Sequence, residues 1–436
     1  MRNKAEENRE LVRKCIAEAR ERRQAAMECY YKSYNSTMFM YRYGSLMSVQ
    51  TDFHRSMEYS IHDDEGNNYK NVYADSDILL NPKSMLAETE KGIKAHSKIP
   101  EYPDEASIDI DCRSNNFDGK LLAFRINEFV DAVNEKYPLI KFKSIKGTYL
   151  DGVNVYGNLS GVTKTEIYDK YMLSAMFCAS DGTDASNLKS YTITMKTPDT
   201  PLLEAGAFDE IINNTNQAIT AYSGSIDSFD TLIIMPDALE KILKLLMRAY
   251  LSDKAILSKK SVWSDKLLQS VTDPRITLSA VYDKNRIVSA GRHISDTGIV
   301  NRDACIIEHG KLVNFCLSRE AEKEIGSEHT NCDYGFFSME GGEKSYREMI
   351  EQTESGLIIS RIQARELDFW GNLTLVIKNA VVVENGVEKG TLGTGYLKLN
   401  LEKMLNNIAW ISKEIAYSGN SSLPRIAIKK GGFTVC

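Results

Sequence analysis

The stretch LIIMPDALEKILKLLMRAYLSDK, residues 232–254, sets the narrowest limits on the fold. Its apolar run followed by Pro-Asp predicts a buried strand, a tight turn and a helix, with Asp237 as N-cap and Glu240 as the capping-box partner. The apolar helix positions recur at helical spacing and indicate one buried face: Leu239, Ile242, Leu243, Leu246, Ala249 and Tyr250. The stretch therefore predicts a helix that packs against a sheet.

The polar face of the same helix carries cations. Lys241, Lys244 and Arg248 follow one another at steps of three and four residues. A zinc peptidase helix needs two imidazoles on one face and a carboxylate that activates water. Lysine and arginine are cationic, and leucine and alanine have no lone pair to offer. The residues alone predict a packed helix without a metal.

The rest of the chain mixes hairpin signals with scattered helices, which is typical of an α+β fold with mixed and antiparallel sheets. Helical patterns cover residues 3–30, 81–96, 119–138, 202–222, 318–325, 344–353 and 400–413. Strand patterns cover 36–75, short segments in 139–197 and several hairpins after 270, with turn signals at Tyr43-Gly44, 64–67, Asp151-Gly152, Gly157-Asn158, 180–182, His309-Gly310 and Asn385-Gly386. Small and polar residues near 222–229 predict two domains, 1–225 and 226–436.

Composition excludes several classes of protein. The net charge is −6, which argues against a general binder of nucleic acid or of anionic membranes. No apolar run is long enough to span a bilayer, and the charged N-terminus lacks the apolar core of a signal peptide. The 8 cysteines form no CxxC pair. These features predict a cytoplasmic protein with reduced thiols.

Other candidate sites are weak in the sequence. None of the 6 histidines has a partner histidine at helical spacing, although His293 could approach Asp296, and Cys305 could approach Cys316 across a hairpin. GTLGTG at 390–395 predicts a turn and not a phosphate loop, because it does not clearly open a helix. The 22 tyrosines indicate strand surface, with an interface or peptide lining as the alternative.

The second half resembles the TldD/PmbA family, also called TldD/TldE. Six pieces carry the resemblance in order over roughly 230–436: LIIMPDALEKILKLL, SKKSVWSDKLLQSV, ISDTGIVNRDACIIEHGKLVNFCLSREAEKEIG, SYREMIEQTESGLIISRIQ, GNLTLVIKNAVVVENGVEKGTL and GNSSLPRIAIKKGGFTV. The first half is similar more weakly, through STMFMYRYGSLMSVQ and the VYGNLSG turn. The chain departs from the family at Asp296-Thr297-Gly298, where an Asp-Glu-Gly turn is usual, and at Leu399-Asn400, where Gly-Asn is usual.

The resemblance implies where a metal site would lie. The TldD branch carries HExxxH on the corresponding helix and a further cysteine ligand near the C-terminus. The two histidine positions correspond to Lys244 and Ala249 and the glutamate position to Leu245, while EIAYSGNSSLPRIAI holds no cysteine and Cys436 lies beyond it. The chain thus resembles the metal-free PmbA/TldE branch, which implies no catalytic residue, no metal ligand and no cofactor in this chain. Arg248, Asp296 and Arg302 are the possible lining of the former cleft.

Three functional hypotheses follow. The resemblance implies a noncatalytic subunit of a TldD–TldE-type metallopeptidase complex, in which a TldD-like partner supplies zinc and unfolded or leader peptides are cleaved. The alternative is a homodimeric peptide-binding or scaffold protein with the same fold and no proteolytic role. A third hypothesis is a metal-independent enzyme that uses Lys244 or Arg248. All three are fold-level expectations until the site is described.

Overall fold

The structure is a computed structural model that describes residues 2–96, 99–100, 102, 106–114, 117–219, 221–222, 224, 229–282, 291–315, 317, 321, 325, 336–368, 370–418 and 421–435. The described residues form two mixed β-sheets with flanking helices. The predicted α+β fold class is confirmed. The first sheet contains strands between residues 26 and 195, and the second contains strands between 231 and 435. The domain limits 1–225 and 226–436 stay a prediction.

The first sheet has the strand order β4-β3-β2-β1-β6-β7-β5, and β8 pairs with β7. All neighbours are antiparallel except β5 and β7. Its strands are β1 (Ala26–Arg42), β2 (Ser45–His62), β3 (Asn67–Ala74), β4 (Ile93–His96), β5 (Ile108–Asp111), β6 (Ile140–Asn158), β7 (Thr163–Ala179) and β8 (Lys189–Met195). Its helices are α1 (Arg2–Glu21), α2 (Pro82–Thr89), α3 (Gly119–Lys136) and α4 (Phe208–Gln217), with a short 3₁₀ helix at Asp77–Leu80.

All four helices cover the same face of this sheet. Met27, Cys29 and Tyr31 on β1 belong to the core beneath α1 and α2. Phe39 and Tyr41, also odd-numbered on β1, belong to the core beneath α3 and α4. Because side chains alternate along a strand, the even-numbered positions project from the opposite face.

That opposite face is rich in tyrosine and polar groups, and it packs against residues 291–301, here termed the docked loop. Tyr30 Oη donates a hydrogen bond to Ile294 O over 2.9 Å, and Lys164 Nζ donates to Gly298 O over 2.6 Å. The even-numbered positions near the loop are Tyr30, Lys32 and Tyr34 on β1, Asn154 and Tyr156 on β6, and Lys164, Glu166 and Tyr168 on β7. A segment of the second half thus completes the polar face of the first sheet.

The second sheet has the order β12-β11-β10-β13-β19-β9-β14-β16-β17-β20, with β15 on β16 and β18 on β19. Its strands are β9 (Thr231–Ile234), β10 (Leu278–Ala280), β11 (Ala304–Glu308), β12 (Lys311–Leu312), β13 (Phe337–Met339), β14 (Ser355–Ile359), β15 (Arg361–Leu367), β16 (Asn372–Glu384), β17 (Val387–Asn400), β18 (Ile408–Ser418), β19 (Ser421–Lys429) and β20 (Phe433–Val435). Its helices are α5 (Pro236–Leu246), α6 (Asp253–Leu257), α7 (Tyr346–Glu351) and α8 (Leu401–Asn406). The apolar stripe of α5 lies in the main core of this half, as predicted.

Several predicted helices are too long. The helix predicted over 3–30 ends at Glu21, because the chain then enters β1 and pairs with β2 and β6. The helices predicted over 81–96 and 400–413 each give way to a strand, and the one predicted over 202–222 spans only Phe208–Gln217. Of the helix predicted over 318–325, most residues lie outside the described part. Apolar residues continue past each helix end, so periodicity alone did not show where strand pairing begins.

Three turn or cap predictions are wrong. Asp151-Gly152 lies inside β6, and GTLGTG lies inside β17, where ladder pairing with β16 overrides the glycines. Asp237 does not cap α5: Met235 is the N-cap without a side-chain hydrogen bond, and Pro236 takes the first helical position. Proline suits that position because its fixed φ fits the helix and its missing N–H is not needed.

Candidate functional site

Helix α5 widens close to Lys244, Leu245 and Ala249, the positions that the resemblance assigns to the metal motif. It ends at Leu246 and continues as a π-helix over Met247–Leu251. In a regular α-helix, residues five apart point about 140° away from each other. A π-turn bonds residue i to residue i+5 and so brings such positions nearer to one face. Ala249 lies within this π-helix, and Lys244 lies on the last regular turn of α5 before it.

The side chains at the motif positions do not fit a zinc ion. Lys244 Nζ lies 2.9 Å from Glu240 Oε1 in an ion pair, and the Lys244 side chain is 48% exposed. Glu240 Oε1 also accepts a hydrogen bond from Ser421 Oγ over 3.3 Å. Leu245 and Ala249 are partly buried against the main core of the second half. An ammonium group and two hydrocarbon side chains provide neither zinc ligands nor a general base.

The predicted lining residues lie in different places. Arg248 is exposed on the π-helix, where its carbonyl accepts a hydrogen bond from Ser252 Oγ over 2.9 Å. Arg302 is exposed just after the docked loop. Asp296 lies on the docked loop and lines a cavity of about 540 Å³ against the first sheet. The cavity also contains Lys32, Arg292 and the rings of Tyr30, Tyr34 and Tyr168. Asp296 therefore lines this cavity, whereas Lys244 forms an ion pair with Glu240 on α5.

A buried cluster that the sequence analysis missed lies behind the same loop. His293 Nδ1 lies 2.7 Å from Glu166 Oε1 and 3.3 Å from Cys112 Sγ. Glu166 is fully buried, and its carboxylate accepts hydrogen bonds from the backbone N–H groups of Gly291 and His293. The structure therefore pairs His293 with Glu166, whereas sequence reasoning considered Asp296. Strand alternation could have shown that Glu166 shares a face with Tyr168, but not that His293 covers it.

The structure does not test the predicted approach of Cys305 to Cys316. Cys316 lies outside the described residues. Cys305 Sγ donates to Ile307 O over 3.3 Å, and burial raises the pKa of its thiol. Cys305 is therefore bonded to the backbone of its own strand.

A buried lysine lies beside the start of α5. Lys189 Nζ donates to Ser360 Oγ over 2.7 Å, in a small pocket that Asp237 and Glu210 also line. Burial lowers the pKa of Lys189 to about 8, and the negative charge of Asp237 opposes that shift. On the other side of Glu210, the guanidinium of Arg425 forms an ion pair with its carboxylate. These contacts join the first sheet and α4 to the second half.

The fold and the site define the class of this protein. It is an α+β protein of two mixed sheets, and its widened helix has lysine, leucine and alanine, and no zinc ligand, at positions 244, 245 and 249. Residues 230–434 match the family model of the PmbA/TldA metallopeptidase C-terminal domain. The second half of the chain therefore carries a C-terminal domain of the TldD/PmbA family. A comparison with curated proteins finds no matching sequence.

Solved structures share the fold over nearly the whole chain. TldE from Thermococcus kodakarensis has 14% sequence identity and a TM-score of 0.78, with 98% of each chain covered. A candidate modulator of DNA gyrase from Bacteroides thetaiotaomicron has 17% identity and a TM-score of 0.78, with 99% of each chain covered. A similar candidate from Thermotoga maritima has 16% identity and a TM-score of 0.74, covering 96% of this chain and 98% of its own. At such identities the likeness establishes the fold alone.

Among the described residues, no helix has both the length and the apolar character needed to cross a bilayer.

Proposed function

We propose that this chain is a TldE-like, noncatalytic subunit of a TldD–TldE-type metallopeptidase complex that processes unfolded or leader peptides. The observation that carries the proposal is the widened helix α5. Its π-turn suits a five-residue ligand spacing, while its motif positions hold the paired Lys244 and the packed Leu245 and Ala249. A partner subunit of such an enzyme would keep the backbone shape of the metal-motif helix but would lack the metal ligands.

In this proposal the TldD-like partner supplies the zinc ion, its ligands and the general base. The ammonium of Lys244 would repel a divalent cation at the corresponding place in this chain, and its pairing with Glu240 keeps that carboxylate occupied. The contribution of this chain is then to shape the chamber and to hold the peptide. The cavity at the docked loop, with its tyrosines and the cations Lys32 and Arg292, is one surface suited to an extended peptide.

The β1–β2 hairpin offers a second surface, for either a partner or a peptide. Among the described residues, Ser45–His54 of β2 pair only with β1, because the backbone of Arg55 already hydrogen-bonds Asp75 and the pairing of β2 with β3 begins at Ser56. This free edge can accept another strand through backbone hydrogen bonds. Large apolar side chains are exposed along the hairpin: Tyr43, Leu46, Met47, Val49 and Phe53. Exposed apolar groups of this kind mark interaction surfaces.

The same hairpin also favours the second candidate function, a homodimeric scaffold without a proteolytic role. Two β2 edges from two copies could pair antiparallel across a two-fold axis, since such an interface presents the same surface from both subunits. The partner identity therefore decides between the two candidates.

The test is cleavage of an unfolded peptide by the purified chain, by a TldD-like protein, and by their mixture. We expect cleavage only where the TldD-like protein is present, with a higher rate in the mixture. Replacing the motif glutamate of the TldD-like protein with glutamine should abolish cleavage, because that residue is the general base. Lys244→Ala in this chain should leave the mixture active, as should the control Lys241→Ala on an exposed position of the same helix.

Two results would contradict the proposal. Zinc-dependent cleavage by this chain alone would mean that it contains a complete active site. A stable homodimer that neither binds a TldD-like protein nor raises its cleavage rate would instead support the scaffold function. Sedimentation of the mixture, compared with each protein alone, separates these cases independently of activity.

A further inference from the structure

We propose that Cys112, Glu166 and His293 form a binding site for a zinc-class transition-metal ion behind the docked loop. The site is separate from the motif helix, and it does not depend on the proposed peptidase role. All three residues are buried, and one potential ligand atom of each lies within 4.8 Å of the others. The metal would join the first sheet to the second half of the chain.

The distances are close to those of a shared metal ligand shell. His293 Nδ1 is 3.3 Å from Cys112 Sγ and 2.7 Å from Glu166 Oε1, and Cys112 Sγ is 4.0 Å from Glu166 Oε1. Zinc bonds of 2.0–2.3 Å in a tetrahedron put ligand atoms about 3.3–3.7 Å apart. Metal binding therefore needs the histidine and glutamate atoms to separate by about half an ångström and the sulfur to approach the carboxylate. Side-chain adjustments of that size need no change of fold.

The arrangement differs from that of a catalytic Cys-His-Glu relay. Such a relay uses both ring nitrogens, one facing the nucleophile and the other the carboxylate. Here Nδ1 faces both Cys112 and Glu166, while Nε2 of His293 is buried and, within the described residues, has no hydrogen-bond partner. A single ring nitrogen cannot both accept a proton from the thiol and donate one to the carboxylate. It can, however, be one ligand of a metal ion that all three groups bind.

Two further buried oxygen atoms near the cluster point to a bound ion. Asn154 is directly opposite Glu166 in the β6–β7 pairing, so both side chains lie on the same face. Asn154 is 2% exposed, and its Nδ2 donates to Gly291 O over 3.2 Å. Its Oδ1 has no hydrogen-bond partner in the described part of the chain, and the same holds for Oδ1 of Asn301, whose backbone N–H donates to His293 O.

Buried polar atoms normally have partners, and a cluster of exceptions is a sign of a bound ion or ordered water. Because Asn154 shares a strand face with Glu166, its Oδ1 would complete the proposed ligand shell, either directly or through a metal-bound water. Thiolate, imidazole and carboxylate together favour zinc over magnesium or calcium, which prefer oxygen ligands only. On binding, the metal replaces the thiol proton of Cys112, which is released to solvent, and the imidazole binds as the neutral form with its proton on Nε2.

The site has a structural consequence. Cys112 follows β5, Glu166 lies on β7, and His293 lies on the docked loop. A metal at this point would fix the loop that forms one wall of the 540 Å³ cavity. Gly291 supports the arrangement: its φ is +84°, its N–H binds Glu166, and a Cβ there would lie 3.0 Å from the ring of Tyr168.

The test uses the purified full-length chain alone, so its outcome is independent of any partner or of cleavage. After dialysis against metal-free buffer, we expect an equimolar amount of zinc to remain by elemental analysis. Replacement with Co²⁺ should produce a thiolate-to-cobalt charge-transfer band in the near ultraviolet. Cys112→Ser should lose this band, and Cys178→Ser, a half-buried cysteine on β7 outside the cluster, should keep it.

Absence of both retained zinc and the cobalt band in the wild-type chain would overturn the proposal, as would a band that persists in Cys112→Ser. Binding only in large excess of metal would also overturn it, since a buried three-ligand site retains its ion on dialysis. If Cys112→Ser does not fold, Asn154→Ala gives a second test. The expected result for that variant is weaker zinc retention with the thiolate band preserved, because the sulfur ligand remains. Unchanged zinc retention would contradict the proposed ligand shell.

Discussion

Replacing Gly298 with alanine tests whether the docked loop packs on the first sheet as described. Gly298 has φ +75°, in the left-handed region, where an L-residue costs about 1–2 kcal/mol. An added Cβ would also lie 2.3 Å from Cε1 of the Tyr156 ring. That ring is fully buried, and its hydroxyl donates to Glu28 Oε1 over 2.7 Å, so it cannot swing away.

The expected loss in the free energy of unfolding is the sum of the two effects. Overpacking a tight contact costs about 1–3 kcal/mol, so the total for Gly298→Ala is about 2–5 kcal/mol. The matched control is Gly182→Ala: its φ is +98°, but no atom lies within 4 Å of the added Cβ. The control should lose only the backbone contribution of about 1–2 kcal/mol.

Urea denaturation of the wild type and both variants measures the difference. Hydrogen exchange adds a local readout, because a displaced loop should lose protection in 291–301 but not around residue 182. Equal losses of stability in the two variants, with unchanged exchange in the docked loop, would refute the packing of Gly298 against Tyr156.

Two further predictions concern charged groups near α5. Burial places the pKa of Lys189 at about 8 in the folded chain, below the unfolded value of 10.5, so the unfolded chain binds more protons between these values. Stability should therefore rise with pH across this window, by up to about 3 kcal/mol, and Lys189→Met should remove the rise in urea midpoints measured through it. Lys244→Met should cost less than about 1 kcal/mol of stability, because the Lys244 side chain is half exposed and the buried Glu240 keeps the hydrogen bond from Ser421. Thermal denaturation of this variant, with Lys241→Met as the control, measures the loss of stability. A much larger loss in Lys244→Met would show that the ion pair holds the helix in place.

Local signals correctly predicted the Asn385-Gly386 turn and the clearest helix. Asn385 and Gly386 have φ values of +50° and +75° and connect β16 to β17, which is the conformation that an Asn-Gly hairpin requires. The predicted helix 119–138 is α3, with Asp118 as N-cap and an end before Pro138. These features depend on neighbours in the chain, so the sequence contains the information directly.

Strand length was less accessible to sequence reasoning. The region 139–197 contains two long strands, β6 and β7, in place of several short ones. The Asp151-Gly152 signal suggested a break, yet β6 continues through it, and the polar residues Asn154 and Glu166 also lie within continuous ladder pairing. These polar residues are tolerated there because the docked loop supplies hydrogen-bond partners to that face of the sheet. No local sequence pattern predicts the position of that loop.

The sequence by itself determined the α+β class, the apolar face of α5 and the residue types at the motif positions, because periodicity and side-chain chemistry are properties of the chain. Only the tertiary structure decided that α5 widens into a π-turn at those positions and that Lys244 pairs with Glu240. It also brought His293 to Cys112, 181 residues away in the chain, and to Glu166, 127 residues away. Contacts over such separations depend on how two sheets and a loop pack together, and packing is not encoded in any one segment.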